Sequence, residues 1–519
     1  MTPMSRAILK FAPALLLAAL QAGCAVGPDY AAPKFALPSS WTNAPAAADA
    51  KSTEAALDAW WRAFADPTLS ALMDEAVAGN ADVASAKAKI REARATRREA
   101  AAALAPSLTG SASASALGGA QTSGAVTTST TTAATSSTGL SSPFQAGFDA
   151  SWELDLFGGK SRDHEATVYG EQATEDDLRA TLLTLVGDVG AYYAEARGYQ
   201  ARIALAHGAV ASQRRTADLT RVKFEAGSAS AADAAKADAQ AASTAADIPT
   251  DEAAYAEAVH RLSVLTGRAP GALIDRLKAA GPIPAPRNAL PAGVPADILR
   301  RRPDVRAAER RLAQATAKIG AAQAALYPDL SLSGSLSTAA ARPGDLLRAS
   351  SVSWSYGPSV SLPIFDGGKL TAERDAAEAQ RDEYLAAWRS SVLTALEDVE
   401  NALVSLAKER SRARELTKAV AGYGKAAELS RAQYEAGKSS FLDVLDAERS
   451  LYSAKDSLIQ SRVAIAKDYV ALAKALGGGW NRAVDADAPE IVDADMGPRW
   501  RRQTTGKSMD GDSEAQARQ

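Results

Sequence analysis

The stretch SFLDVLDAERS at 440–450 holds the side chains best suited to chemistry. Asp446 lies four residues after Leu442, three after Asp443 and three before Arg449, so the four share one face of a helix. Their chemistry is electrostatic. Carboxylates that converge repel one another and bind cations or protons, and a nearby guanidinium such as Arg449 can pair with them. Covalent or metal chemistry finds little material elsewhere. The chain has three histidines and one cysteine, and it lacks HExxH, GxSxG and paired-cysteine zinc patterns. His164, His207 and His260 fall on helical stretches without companions. FGGKS at 157–161 resembles the end of a phosphate-binding loop, but Leu154 stands where that loop needs its first glycine. No catalytic, cofactor or metal site is expected, and the chain reads as no enzyme. Its net charge of −3 gives no basic footprint for nucleic acid.

The elements that position these residues come from a duplication. RAQYEAGKSSFLDVLDAERS at 431–450 matches RVKFEAGSASAADAAKADAQ at 221–240 in register, pairing Arg221 with Arg431, Phe224 with Tyr434, Gly227 with Gly437, Ser230 with Ser440 and Asp233 with Asp443. Other landmarks follow in order: Asp82-Val83 with Asp304-Val305, Pro106 with Pro328, and Gly158-Gly159-Lys160 with Gly367-Gly368-Lys369. The offset falls from 222 to 209, so the first copy carries about thirteen extra residues between Pro106 and Gly158. A repeat this long means two large halves, here 67–295 and 296–480.

In each half the period changes from helix to strand twice. Alternation of apolar and polar residues predicts strands near 107–117 and 148–157, then near 329–337 and 351–364. Nine to eleven alternating residues is the length of an outer-membrane strand. Four strands cannot close a barrel, and an open edge in lipid is prohibitive, so copies of the chain must share one. Two copies would give eight strands and three would give twelve. Neither 160–227 nor 369–437 contains proline, and each suits a helix about 100 Å long. Leu178, Leu182, Leu185, Val189 and onward, and Val392, Leu396, Val399, Leu403 and Leu406, step by 4 and 3 as coiled-coil seams. Shorter helical runs are expected at 67–104, 230–267, 296–326 and 440–477. Gly227 and Gly437 end the long helices at a hairpin tip, and Ser230-x-x-Asp233 and Ser440-x-x-Asp443 open the return helices as capping boxes. The tips span about 224–233 and 434–446.

The start of the chain is an address. Arg6 and Lys10 precede FAPALLLAAL, and QAGC ends at Cys24. This reads as a cleaved export signal over 1–23 with lipidation of Cys24, followed by an N-terminal segment over 24–66. The tail, 481–519, reads as largely disordered.

Together YEAGKSSFLDVLDAERSLYSAK, the FGGK and FDGGK turns, LYPDLSLSGS, RRPDVRAAE and CAVGPDY resemble the TolC-like outer-membrane efflux channels, in their lipoprotein drug-efflux branch. The resemblance implies an α+β membrane protein: a homotrimeric 12-stranded β-barrel, four strands per chain, continued by a long α-helical coiled-coil barrel. It implies the exit duct of a tripartite pump for small toxic compounds, set in the outer membrane of a Gram-negative bacterium and extending into the periplasm. Its partners would be a periplasmic adaptor (membrane fusion) protein, an inner-membrane RND-type pump and outer-membrane lipid. By motif position, Leu442 and Asp446 match apolar and carboxylate rings that narrow the tunnel mouth, and Asp443 matches another aperture carboxylate. Asp443 also has the capping role; Asp446 does not. The first copy has Ala232 and Lys236 at the positions of Leu442 and Asp446, so the second copy is expected to face the axis, with Lys236 or Arg449 pairing Asp446 when closed. A tip Tyr–Arg latch known in the family is not reproduced, because Ser439 stands at the arginine position. Phe224, Gly227, Ser228, Asp233, Tyr434, Gly437 and Lys438 form the expected adaptor-docking tips. Two other readings compete: the duct of a type I protein secretion system, and a coiled-coil lipoprotein with no pore, which would not need alternating strands.

Overall fold

The computed structural model describes residues 25–43, 57–115, 144–290, 295–481 and 484–486. Cys24, the expected signal, the 116–143 segment and the tail beyond 486 lie outside the described residues. Two helices of 67 residues set the length of the molecule: α3 (Gly159–Glu225) and α6 (Lys369–Glu435). At 1.5 Å per residue each is about 100 Å long. Each is followed by a 35-residue return helix, α4 (Ala231–Leu265) or α7 (Phe441–Ala475), and preceded by a 22-residue helix, α2 (Ala81–Ala102) or α5 (Pro303–Ala324). A 13-residue helix α1 (Pro67–Gly79) leads into α2.

Two of the four shorter runs are not continuous as expected. Asn80 interrupts 67–104: its backbone is extended, and its Oδ1 accepts the Asp82 and Val83 amides at 2.8 and 3.2 Å. Its Nδ2 donates to the Leu265 carbonyl at 3.1 Å, so the break is tied to the end of α4. In the second half the helix starts only at Pro303, since proline at a first turn cannot accept a preceding helix. A short turn, Ile298–Arg301, stands before it.

Strands β1 (Ser107–Ala114), β2 (Phe144–Leu154), β3 (Asp329–Ala340) and β4 (Val352–Ser361) form one antiparallel sheet in the order β1-β2-β3-β4. β2 starts four residues earlier than 148 and stops at Leu154, because Asp155 leaves the strand to serve the next helix. Its carboxylate accepts the Lys160 and Ser161 amides at 3.0 and 2.7 Å. Asp366 does the same for α6, accepting from Gly368 and Leu370 at 2.8 Å. Gly158 at φ 78° and Gly368 at φ 88° make the strand-to-helix turn in the left-handed region, which gives the GGK turns their physical reason.

Register sorts the sheet into two faces. Rows Gly110–Phe148–Leu336–Trp354 and Leu108–Ala150–Gly334–Tyr356 are apolar, whereas Thr109–Asp149–Ser335–Ser355 and Ser111–Gly147–Ser337–Ser353 are polar. Serine hydroxyls bond across strands at 2.8 Å (Ser335–Ser355) and 2.9 Å (Ser337–Ser353). The apolar row is exposed, with Leu108 and Trp354 each 70% accessible. The core lies elsewhere, at mid-height of the helices. There Trp60, Leu69, Leu72 and Met73 pack with Val186, Val189 and Tyr193 of α3, Val392 and Val399 of α6, and Tyr469 and Val470 of α7. Of the seams read from spacing, Leu178, Leu182, Leu185, Val189, Val392, Val399, Leu403 and Leu406 are buried.

Candidate gate and docking surface at the helical tips

Both tips are built by the same local rules. Gly227 (φ 76°) and Gly437 (φ 73°) hold the left-handed turn, and an added Cβ would meet nothing within 4 Å at either. The amides of Ser228 and Lys438 reach back to the Lys223 and Gln433 carbonyls at 2.7 and 2.8 Å, closing the helix ends. Capping boxes then open α4 and α7. Ser230 Oγ accepts the Asp233 amide at 3.1 Å, and Ser440 Oγ accepts the Asp443 amide at 3.3 Å. In return Asp233 and Asp443 accept the Ser230 and Ser440 amides, at 3.3 and 3.0 Å. Asp443 is thus committed to a helix cap.

The second tip divides cleanly into two faces. Phe441, Val444 and Leu445 join Tyr434, Ala217 and Ala237 in a small buried cluster. Leu442, Asp443, Asp446 and Arg449 all lie on the opposite, exposed face of α7. Among the described residues no ion pair joins Asp446 to Arg449 or Lys236; that closing pair is absent within one chain, where Lys236 is exposed on the other hairpin. Leu442 is 54% exposed, an apolar side chain held in water by the helix that carries it.

The residues expected to dock a partner split. Phe224 (45% exposed), Gly227, Ser228, Gly437 and Lys438 lie on the surface, and Asp233 is half-buried. Tyr434 does not lie on that surface. It is 4% exposed, its ring lies edge-on to Phe441, and its hydroxyl meets Thr220 Oγ1 at 3.1 Å. The Lys223 ammonium sits 4.3 Å from the ring centroid and donates to the Tyr434 carbonyl. Burial follows because α3 closes over the ring from the first hairpin, a contact no local pattern reveals. Ser439, at the position of the missing arginine, donates only to the Ser430 carbonyl at 3.3 Å.

One group escaped sequence reading. Glu448 is 8% exposed and accepts from the Arg431 guanidinium, and from Thr216 Oγ1 at 3.1 Å. Arg431 also donates to Ser212 at 2.6 Å, so this pair binds the second hairpin to α3 of the first. The signal was in the repeat. Arg221 and Asp238, the matching positions, also pair, at 3.0 Å, but in the open. Higher on the shaft Arg202 of α3 bridges Asp251 of α4 at 2.9 Å and Asp456 of α7 at 2.7 Å. Desolvation raises the Asp251 carboxyl above its usual range, against the pull of Arg202. Beside it desolvation and Asp247, whose carboxylate the Tyr452 hydroxyl meets at 3.3 Å, push that phenol up to about 12.

A sheet with one lipid-suited and one hydroxyl face, carried on helices this long, defines an outer-membrane channel subunit. The chain belongs to the outer membrane efflux protein family, which it matches over residues 72–268 and 294–478. It is similar to nodulation protein T of Rhizobium leguminosarum bv. trifolii, 36% identical over 467 residues that cover 90% of this chain and 97% of the relative. It is also similar to the pyoverdine export outer membrane protein OpmQ of Pseudomonas aeruginosa, 32% identical over 446 residues, 86% of this chain and 92% of that one. Its fold is similar to that of the outer-membrane channel OprN, with a TM-score of 0.81 at 36% identity, covering 88% of this chain and 100% of that one. The family consists of efflux ducts rather than enzymes, and this chain is an outer-membrane efflux channel protein.

Proposed function

We propose that three copies of this chain close one twelve-stranded barrel and continue it as a helical tunnel, forming the passive exit duct of a tripartite efflux pump for small toxic compounds. The observation that carries the reading is the sheet itself. β1 and β4 are open edges of an antiparallel sheet whose apolar face is exposed, and lipid does not tolerate open edges. Because β1 and β4 run in opposite directions, β4 of one copy can continue antiparallel into β1 of the next. The equal lengths of paired elements support the two-fold repeat, which would line the shaft with six hairpins in three copies. The tips would dock a periplasmic adaptor, which hands cargo from an RND-type inner-membrane pump. The N-terminal segment supports lipid anchoring at Cys24 in a Gram-negative outer membrane. Val26 donates to the Phe157 carbonyl at 3.0 Å, at the base of the sheet where an acyl chain would enter the membrane. Efflux is favoured over protein secretion because OpmQ is named for pyoverdine export.

Growth of a deletion strain across a panel of toxic compounds, with recovery of the adaptor on the tagged protein, tests this. Sensitivity to several compounds and co-purification of the adaptor are expected. Unchanged growth together with no bound adaptor would overturn the reading.

A further inference from the structure

The strands carry a one-sided set of charges. β1 to β4 contain no lysine or arginine, and their three charged residues are Asp149, Glu153 and Asp329. Register puts all three on the hydroxyl face: Asp149 opposite Thr109 and Ser335, Glu153 opposite Ser331, and Asp329 opposite Ser361. Two of them share one cation. Lys160, at the start of α3, meets Glu153 at 2.8 Å, and Asp329 stands beside the same pair. Asp149 is different. It is exposed, its side chain meets no cation among the described residues, and its neighbours in the row are hydroxyls. Thr109 Oγ1 donates to its backbone carbonyl, at 3.3 Å, and not to the carboxylate.

Such a carboxylate adds nothing to the fold that a serine would not. Its effect is on what passes. A fixed charge on a wet wall backed by lipid directs its field into the lumen, because the low-dielectric side cannot screen it. We infer that Asp149 is a selectivity residue of the barrel: a ring of carboxylates, one per chain, that favours cations and cationic amphiphiles over anions. It acts at mid-height of the strands, apart from the tip. The inference rests on the trimeric-duct reading, and its test separates the two.

Thr109→Cys places a thiol directly opposite Asp149. The full-length protein in outer-membrane vesicles is treated with a trimethylammonium or a sulfonate methanethiosulfonate of similar size, and modification at position 109 is followed by mass spectrometry. The cationic reagent should react faster. Asp149→Asn should lower the cation-to-anion rate ratio about fivefold, the effect of one unit charge about 5 Å away in water at physiological salt. Asp149→Glu should keep the ratio, and Asp149→Lys should invert it. A thiol that reacts equally with and without the Asp149 charge overturns the selectivity role. A thiol at 109 that neither reagent reaches overturns the duct reading itself.

Discussion

Glu448→Ala should loosen the second hairpin far more than Asp238→Ala loosens the first, although the two carboxylates occupy matching places. Glu448 is 8% exposed and its partner Arg431 38%, whereas Arg221 and Asp238 are 52% and 55% exposed. Truncating Glu448 leaves the buried Thr216 hydroxyl without that acceptor and strands the Arg431 charge. Hydrogen bonds to charged groups contribute about 1.5–3 kcal/mol, and the access of Arg431 to water holds the loss to about 2 kcal/mol. An exposed pair contributes about 0.2–1 kcal/mol. Hydrogen exchange read by mass spectrometry suits a hairpin end that opens locally. Amides of 441–451 should exchange about 30-fold faster in Glu448→Ala, since about 1.4 kcal/mol is tenfold. Amides of 231–241 in Asp238→Ala should change by no more than about fivefold. Equal effects in the two hairpins would refute the argument that burial, rather than the ion pair as such, sets the strength.

Three further outcomes follow. Asp446→Ala removes an exposed carboxylate with no ion pair among the described residues, so stability should change by no more than about 0.5 kcal/mol while cation selectivity and single-channel current shift; an unchanged current would remove Asp446 from the gate. Burial pulls the Glu400 carboxyl up, but the bonds it accepts from Thr42 and Asn43, at 2.7 and 3.1 Å, outweigh burial and hold it below the ordinary glutamate range. A depressed pKa means the tether persists at neutral pH and is lost as pH falls through the folded-state value; limited proteolysis of the 25–43 segment should therefore rise as the pH falls below the ordinary glutamate range, and Glu400→Gln should raise it already at pH 7. Trp354→Arg on the apolar face should cost about 2–4 kcal/mol of assembly, whereas Ser355→Arg, one residue on and on the hydroxyl face, should assemble normally on a heat-stability gel.

The sequence was most legible where a local rule decides the structure. The lengths of the two long helices followed from the absence of proline, the capping boxes from Ser-x-x-Asp, the tip turns from glycine, and the two faces of the sheet from period-two alternation. It was least legible where a distant segment decides. Tyr434 reads as a tip aromatic free to dock, yet Thr220 and Lys223, two hundred residues earlier, bury it. Asn80 reads as one polar residue in a helical run; the Leu265 carbonyl and the two amides it caps make it a break. Glu448 was masked by its alternation with alanine and arginine, and only its partner Arg431, already visible as a repeated arginine, could have pointed to it. Asp155 was assigned to a strand because it continues the alternation, whereas its carboxylate belongs to the following helix.

Four strands of one polypeptide cannot complete a pore wall. Native mass spectrometry of the full protein, extracted from the outer membrane in mild detergent, measures this directly. Three copies in one particle are predicted; a particle of one or two copies would contradict the twelve-stranded duct.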